Sequence, residues 1–187
     1  MEYIKDQSFK KTDFTGLDVS DEYDHCQFIN CNFTESNMSE ARFSNCEFLY
    51  CDLSLAKLHK TSFQDVLFRE CKMLGIRFDV CNKLALSFRF EDCNLSHSVF
   101  YQLKIKKTSF IHCKLKEADF NLCDLSESVF EDCDLERAVF NYTNLEKADL
   151  RNAFNYSIDP ENNRIRKAKF SIEGVRGLLD KYNIIIE

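Results

Sequence analysis

Residues 127–140 read ESVFEDCDLERAVF and set Phe130, Leu135 and Phe140 five residues apart, with Cys133 and Ala138 two residues before the second and third. An α-helix turns 100° per residue, so a five-residue repeat would scatter these side chains around its axis. In a straight strand five is an odd number, and Phe130 and Leu135 would face opposite sides of a sheet. The spacing demands a chain that bends once within every five residues.

The period runs through most of the chain. It takes Phe90, Leu95, Phe100, Ile105, Phe110, Leu115, Phe120, Leu125, Phe130, Leu135, Phe140, Leu145 and Leu150 without a miss. An earlier run takes Phe28, Phe33, Met38, Phe43, Phe48, Leu53, Leu58, Phe63, Phe68, Met73 and Phe78. Two residues ahead of most of these stands a smaller side chain, such as Cys26, Cys31, Ala41, Cys46, Thr61, Cys93, Ser98, Cys113 or Ser128. Each unit therefore sends one large and one smaller side chain inward.

The stretches CDLSESVFEDCDLERAVF and TNLEKADLRNAF resemble the pentapeptide-repeat family, whose unit runs small residue, Asp or Asn, Leu or Phe, then two polar positions. The likeness covers roughly residues 26–153. It implies an all-β fold, a right-handed quadrilateral parallel β-helix with one pentapeptide per side and four per coil. Four per coil would stack residues 20 apart, and Cys93, Cys113 and Cys133 are so spaced, as are Cys31, Cys51 and Cys71, and Cys26 and Cys46. Phe90, Phe110 and Phe130 would share one face, and Leu95, Leu115 and Leu135 the next.

With 4 Gly and 1 Pro in 187 residues, the chain is too poor in turn formers for a protein of hairpins. Its corners are expected to use Asn, Asp and Ser, which hydrogen-bond their own backbone. The frame slips by one residue between Val19 and Tyr23, so residues 1–25 are read as an irregular N-terminal coil or cap. The solenoid proper is 26–153, with a register break at 79–89, where Lys83 stands in an apolar slot and two extra residues separate Phe78 from Phe90. Residues 154–187 are read as a C-terminal cap and dimerisation segment. There Ser171 can cap an α-helix bearing Ile172, Val175, Leu178, Leu179 and Tyr182 at helical spacing, and NIIIE, with Ile184 and Ile186, follows as a strand-like end. Gly174 and Gly177 weaken the helical pattern.

Nine of the ten Cys fall in the small inward slot and read as free buried thiols. No CxxC or CxxH spacing appears, and neither a metal nor a cofactor is expected. The opening MEYIKDQSF carries no signal-peptide pattern, and no apolar run is long enough to span a membrane, so the expected location is the cytoplasm. An enzyme is not expected, because neither a glycine-rich phosphate loop nor a nucleophile elbow is present. Asp92, His112 and Asp132, each 20 apart, would form an outer column whose ordinary reading is mutual neutralisation.

Charge is uneven along the chain. Residues 1–53 carry 11 acids and 4 bases, 54–116 carry 5 and 12, 117–150 carry 10 and 2, and 151–187 carry 5 and 7. The outward slots Glu117, Asp119, Asp124, Glu127, Glu131, Asp132, Asp134 and Glu136 are the candidate partner-binding acidic face, repelling nucleic acid and attracting a basic groove. The ending IDPENNRIRKAKFS...GLLDKYNIII is similar to that of the Qnr quinolone-resistance and microcin-immunity type within the family. That likeness implies a homodimeric rod imitating duplex DNA and acting on DNA gyrase or topoisomerase IV, with no direct nucleic-acid or membrane partner. Ile172, Val175, Leu178, Leu179, Tyr182, Ile184 and Ile186 are the candidate dimerisation residues. Qnr proteins project long loops, whereas this chain has only the two-residue excess at 79–89. A generic interaction scaffold with an unknown partner is the alternative.

Overall fold

A computed structural model describes residues 2–186 of the chain. Along the coils the backbone turns a corner at every fifth residue, and the corner residue sits in the left-handed region: Asn45 at φ 53°, Tyr50 at 58°, Leu55 at 59°, Lys60 at 57°. Asn, Asp and Ser do not control these corners as expected, since Leu122, Arg137 and Tyr142 occupy them equally well. The backbone enforces the conformation. Most corner N–H groups donate to a carbonyl of the next coil, as from Tyr50 to Arg69 at 3.0 Å, Leu122 to Asn141 at 2.9 Å and Glu127 to Glu146 at 2.9 Å. Asp and Asn act one residue before the large inward side chain instead. There the carboxylate or amide oxygen accepts the N–H two residues on, as Asp52 does from Ser54 at 2.9 Å and Asp119 from Asn121 at 2.9 Å.

Consecutive coils pair as parallel strands, with 20 residues between partners over most of the rod. One face carries β1 (Tyr3–Lys5), β3 (Glu22–Asp24), β5 (Arg42–Ser44) and β7 (Ser62–Gln64) in the order β1-β3-β5-β7. The next face carries β2 (Ser8–Lys10), β4 (Gln27–Ile29), β6 (Glu47–Leu49), β8 (Val66–Arg69), β9 (Phe88–Glu91), β10 (Ser109–Ile111) and β11 (Val129–Glu131), joined in that order without a gap. The other two faces are ladders of single bridges, such as Asn94 to Lys114 to Asp134 and Val99 to Asp119 to Val139. Registration superposes like on like. Phe90, Phe110 and Phe130 stack with ring centroids 5.3 and 4.9 Å apart, and Phe100 and Phe120 at 4.9 Å. Offset-stacked pairs of this kind add to the stabilisation that burial itself supplies.

The smaller inward slot is a ladder of hydrogen bonds as well as a space filler. Thr61 Oγ1 donates to the Met38 carbonyl of the previous coil at 2.7 Å, and Ser98 Oγ to that of Met73 at 3.1 Å. Cys71 and Cys133 place Sγ at 3.3 Å from the Phe48 and Phe110 carbonyls in the same way. All ten Cys are buried free thiols, the nine expected in the small slot and Cys81 at the register break.

The register break is confined to one face. A short 3-10 turn at Phe78–Val80 and an excursion through 82–85 interrupt the sheet after β7, and Lys83 swings into solvent. Phe88 closes the hole. It sits in the small slot opposite Val66, and its ring lies 6.0 Å from Phe63, 5.3 Å from Phe78 and 5.4 Å from Phe90. Partner spacing lengthens to 22 residues here, as for Val66 and Phe88, while the neighbouring sheet continues through β8 and β9 unbroken.

At the N-terminal end the one-residue slip shortens the spacing to 19, pairing Ile4 with Tyr23 and Phe9 with Phe28, and residues from Tyr3 onward stack as a coil. At the other end the helix is one turn, α1 (Arg176–Leu179), followed by a 3-10 turn. Ser171 Oγ accepts the Gly174 N–H at 3.0 Å, which starts a turn ahead of α1 rather than capping it directly. Gly174 and Gly177 are explained by close approach. A Cβ on Gly174 would strike the Tyr156 hydroxyl, and one on Gly177 the Tyr156 carbonyl oxygen. The expected strand in NIIIE does not form over Asn183–Ile186, which stay exposed because no paired edge reaches them; Glu187 lies outside the described residues.

Candidate partner-binding surface

The eight candidate carboxylates encircle the rod instead of sharing one face. Glu131 flanks Phe130 on the β11 face, Asp134 and Glu136 flank Leu135 on the next, Asp119 precedes Phe120 on the third and Asp124 precedes Leu125 on the fourth. Glu117, Glu127 and Asp132 stand on three of the corners, at φ 54°, 62° and 48°. They form a belt.

The belt is largely neutralised by the basic coil stacked against it. Lys106 Nζ lies 3.2 Å from Asp124, Lys107 3.9 Å from Glu127, and Lys116 3.3 Å from Asp134 and 2.6 Å from Glu136. Lys147 approaches Glu127 at 3.5 Å, and Arg137 approaches Glu117 at 3.7 Å. Desolvation raises the Asp124 and Asp134 carboxyls, yet hydrogen bonds from Ser126 and Lys106 to the first, and from Asn155 and Lys116 to the second, hold both below the usual range. Exposed pairs of this type contribute little to stability, but they do cancel outward field. Asp119 and Glu131 have no ion-pair partner among the described residues; Glu131 accepts only the Asn152 amide at 2.7 Å.

The Asp92, His112, Asp132 column forms as the spacing predicts. His112 Nδ1 is 3.2 Å from Asp92 Oδ1 and Nε2 is 3.6 Å from Asp132 Oδ2, so each ring nitrogen serves a different coil. No three metal-ligating side chains converge on one point among the described residues.

Sequence reasoning passed over a second set of carboxylates. Asp13, Asp18 and Glu35 near the N-terminal end have no cation within ion-pair distance among the described residues, and Asp13 is held below the usual range by the Thr15 hydroxyl and N–H. The signal was the 11 acids against 4 bases in residues 1–53.

The candidate dimerisation residues divide. Leu178 packs against the core and Leu179 is half-buried, while Ile172, Val175, Tyr182, Ile184 and Ile186 are exposed. Lys181 ties this segment to the preceding loop through Asp159 at 2.7 Å and Glu161 at 2.6 Å, and Tyr182 donates to Glu161 at 2.8 Å. No helix among the described residues is long and apolar enough to cross a membrane.

A four-sided parallel β-solenoid with five residues per side and a large and a small inward slot defines the class of repeat protein. The pentapeptide repeat region profile matches residues 22–100, 86–153 and 103–172, and the chain belongs to the pentapeptide-repeat family. No curated protein matches it by sequence. Among solved structures, it is similar to a trypsin-treated QnrB1 variant, a plasmid-mediated fluoroquinolone resistance protein, at 20% identity and TM-score 0.50, covering 96% of this chain and 100% of that one. A second trypsin-treated QnrB1 variant gives 24% identity and TM-score 0.47 over 100% and 92%. The pentapeptide repeat protein Rfr23 from the cyanobacterium Cyanothece gives 12% identity and TM-score 0.22 over 88% of each chain.

Proposed function

We propose that this protein is a non-catalytic, cytoplasmic rod that binds and modulates a bacterial type II topoisomerase, DNA gyrase or topoisomerase IV, by presenting carboxylates where duplex DNA would lie. The observation that carries the reading is the carboxylate belt on a four-sided rod, with Asp119 and Glu131 on two different faces and without an ion-pair partner among the described residues. Basic DNA-binding grooves attract such a belt through the same field that attracts phosphates. The fold likeness to a fluoroquinolone resistance protein fits resistance or immunity to quinolones or peptide toxins as the outcome.

The test is a supercoiling assay with purified gyrase, with and without a quinolone. Inhibition or drug protection by the protein is expected, and D119K combined with E131K should remove it without altering Tm. Neither inhibition nor protection over a wide concentration range would overturn the proposal. Cation pairing of most of the belt favours a second reading, an interaction scaffold whose partner is not a topoisomerase. A protein inert towards gyrase but retaining a stable, monodisperse rod would support it. In either reading the exposed apolar tail residues Ile172, Val175, Tyr182, Ile184 and Ile186 pair two chains into a homodimer.

A further inference from the structure

The two runs of three Cys in the sequence are a single column in the structure. The 22-residue spacing across the register break places Cys93 over Cys71, so that Cys31, Cys51, Cys71, Cys93, Cys113 and Cys133 succeed one another on one face. All six are 2% exposed or less. The bridges Asn32 to Asp52 to Lys72 to Asn94 to Lys114 to Asp134 set each of these slots directly over the next, and the Cys31 N–H points at Cys51 Sγ at 3.4 Å.

We propose that this column binds soft, two-coordinate divalent ions, represented by Hg(II), between thiols of adjacent coils. Geometry selects the coordination. A metal–thiolate bond of about 2.3 Å makes a linear S–M–S unit about 4.6 Å long, close to the roughly 4.8 Å between parallel strands. A straight column offers two sulfurs to any point between coils, which excludes tetrahedral Zn(II) and agrees with the lack of any convergent group of three ligands among the described residues. Charge selects the valence. Two thiols release two protons to solvent as two metal–sulfur bonds form, and the resulting S–Hg–S unit is neutral, as an apolar core requires. A monovalent ion would leave one buried negative charge. Six thiols used in pairs hold three ions, and Cys26 stacked below Cys46 provides one further pair outside the column.

The experiment titrates the full folded chain with HgCl2, reading stoichiometry by mass spectrometry under native conditions, coordination by X-ray absorption, and Tm. The informative variant is C51S/C93S/C133S. It keeps three column thiols but no adjacent two, and Ser already serves in this slot at Ser98 and Ser128 with the same bond to a carbonyl. The wild type is expected to bind ions with two sulfurs each and to rise in Tm. The variant should bind three fewer, retaining only the Cys26–Cys46 ion. Thiols binding singly would also lose three ions but would leave up to seven on the variant, one sulfur each; more than one ion retained by the variant, or one-sulfur coordination in the wild type, would overturn the proposal, as would no binding, or a fall in wild-type Tm on loading. Were the triple variant unfolded by circular dichroism, C71S alone would serve, since it leaves at most two column pairs and should hold three ions in all, two sulfurs each, against four in the wild type; nine singly bound ions would overturn the proposal.

Discussion

At the scale of single residues, the fold is written in inward positions and merely tolerated by outward ones. Phe130, Cys133 and Leu135 could be placed from spacing alone, because burial acts on every fifth residue regardless of what lies between. The corner conformation could not be read from residue type, since inter-coil hydrogen bonds impose it on Leu122 and Tyr142 as on Asn45. A β-carbon in the left-handed region costs roughly 1–2 kcal/mol, which Asn partly escapes. Leu122→Asn is therefore expected to stabilise the rod by about 0.5–1 kcal/mol, seen as a higher urea midpoint with unchanged slope. Asp149 gives a second residue-scale expectation. Arg151 Nη2 at 2.7 Å and Nε at 2.9 Å pull its carboxyl down to about 2 against desolvation. An unfolded Asp titrates near about 3.9, so the stabilisation is complete above about pH 4 and is lost as pH falls towards about 2. Between those values the wild type should lose stability more steeply than D149N in urea titrations at a series of pH values.

At the scale of elements, the register break shows what the period leaves out. Lys83 marked the site, but only the structure placed Phe88, in a slot that otherwise holds Val66 or Thr108. What spacing could not supply was the link between them, a bulky ring moved inward to fill the volume that an exposed lysine vacates. Phe88→Ala should cost roughly 3–5 kcal/mol as a large cavity opens among Phe63, Phe78 and Phe90, whereas Lys83→Ala should change stability by less than about 0.5 kcal/mol. Equal effects in equilibrium unfolding would refute this division of labour. The C-terminal element was legible only in part. Leu178 and Leu179 have helical spacing, but a single turn is fixed by docking of Gly174 and Gly177 on Tyr156, a long-range contact that local pattern does not encode.

At the scale of the whole molecule, coil stacking decides how much of the charge is felt outside. At about 4.8 Å per coil, residues 117–150 form a band about 8 Å deep, with 10 acids and 2 bases. Its own charge density exceeds that of duplex DNA, one negative charge per about 1.7 Å. Its basic neighbour, however, lies within the screening length of about 8 Å at physiological salt. Over residues 1–150, 26 acids against 18 bases spread along about 36 Å, less than half the density of DNA. The rod thus carries acidic bands at 1–53 and 117–150 on either side of a basic one at 54–116. Segment totals revealed the excess, but the cancellation emerged only from the stacked coils, which set Lys107 against Glu127 and Lys116 against Glu136. The proposed homodimer belongs to this scale too: if it forms, I172D combined with I184D should yield monomers by analytical ultracentrifugation with little change in Tm, because both side chains are exposed at 89% and 55%. Finally, one sheet runs unbroken from β2 to β11 while the face beside it is interrupted after β7. In mechanical terms the protein is a beam notched on one of its four sides, and any bending under load is expected to concentrate at that notch.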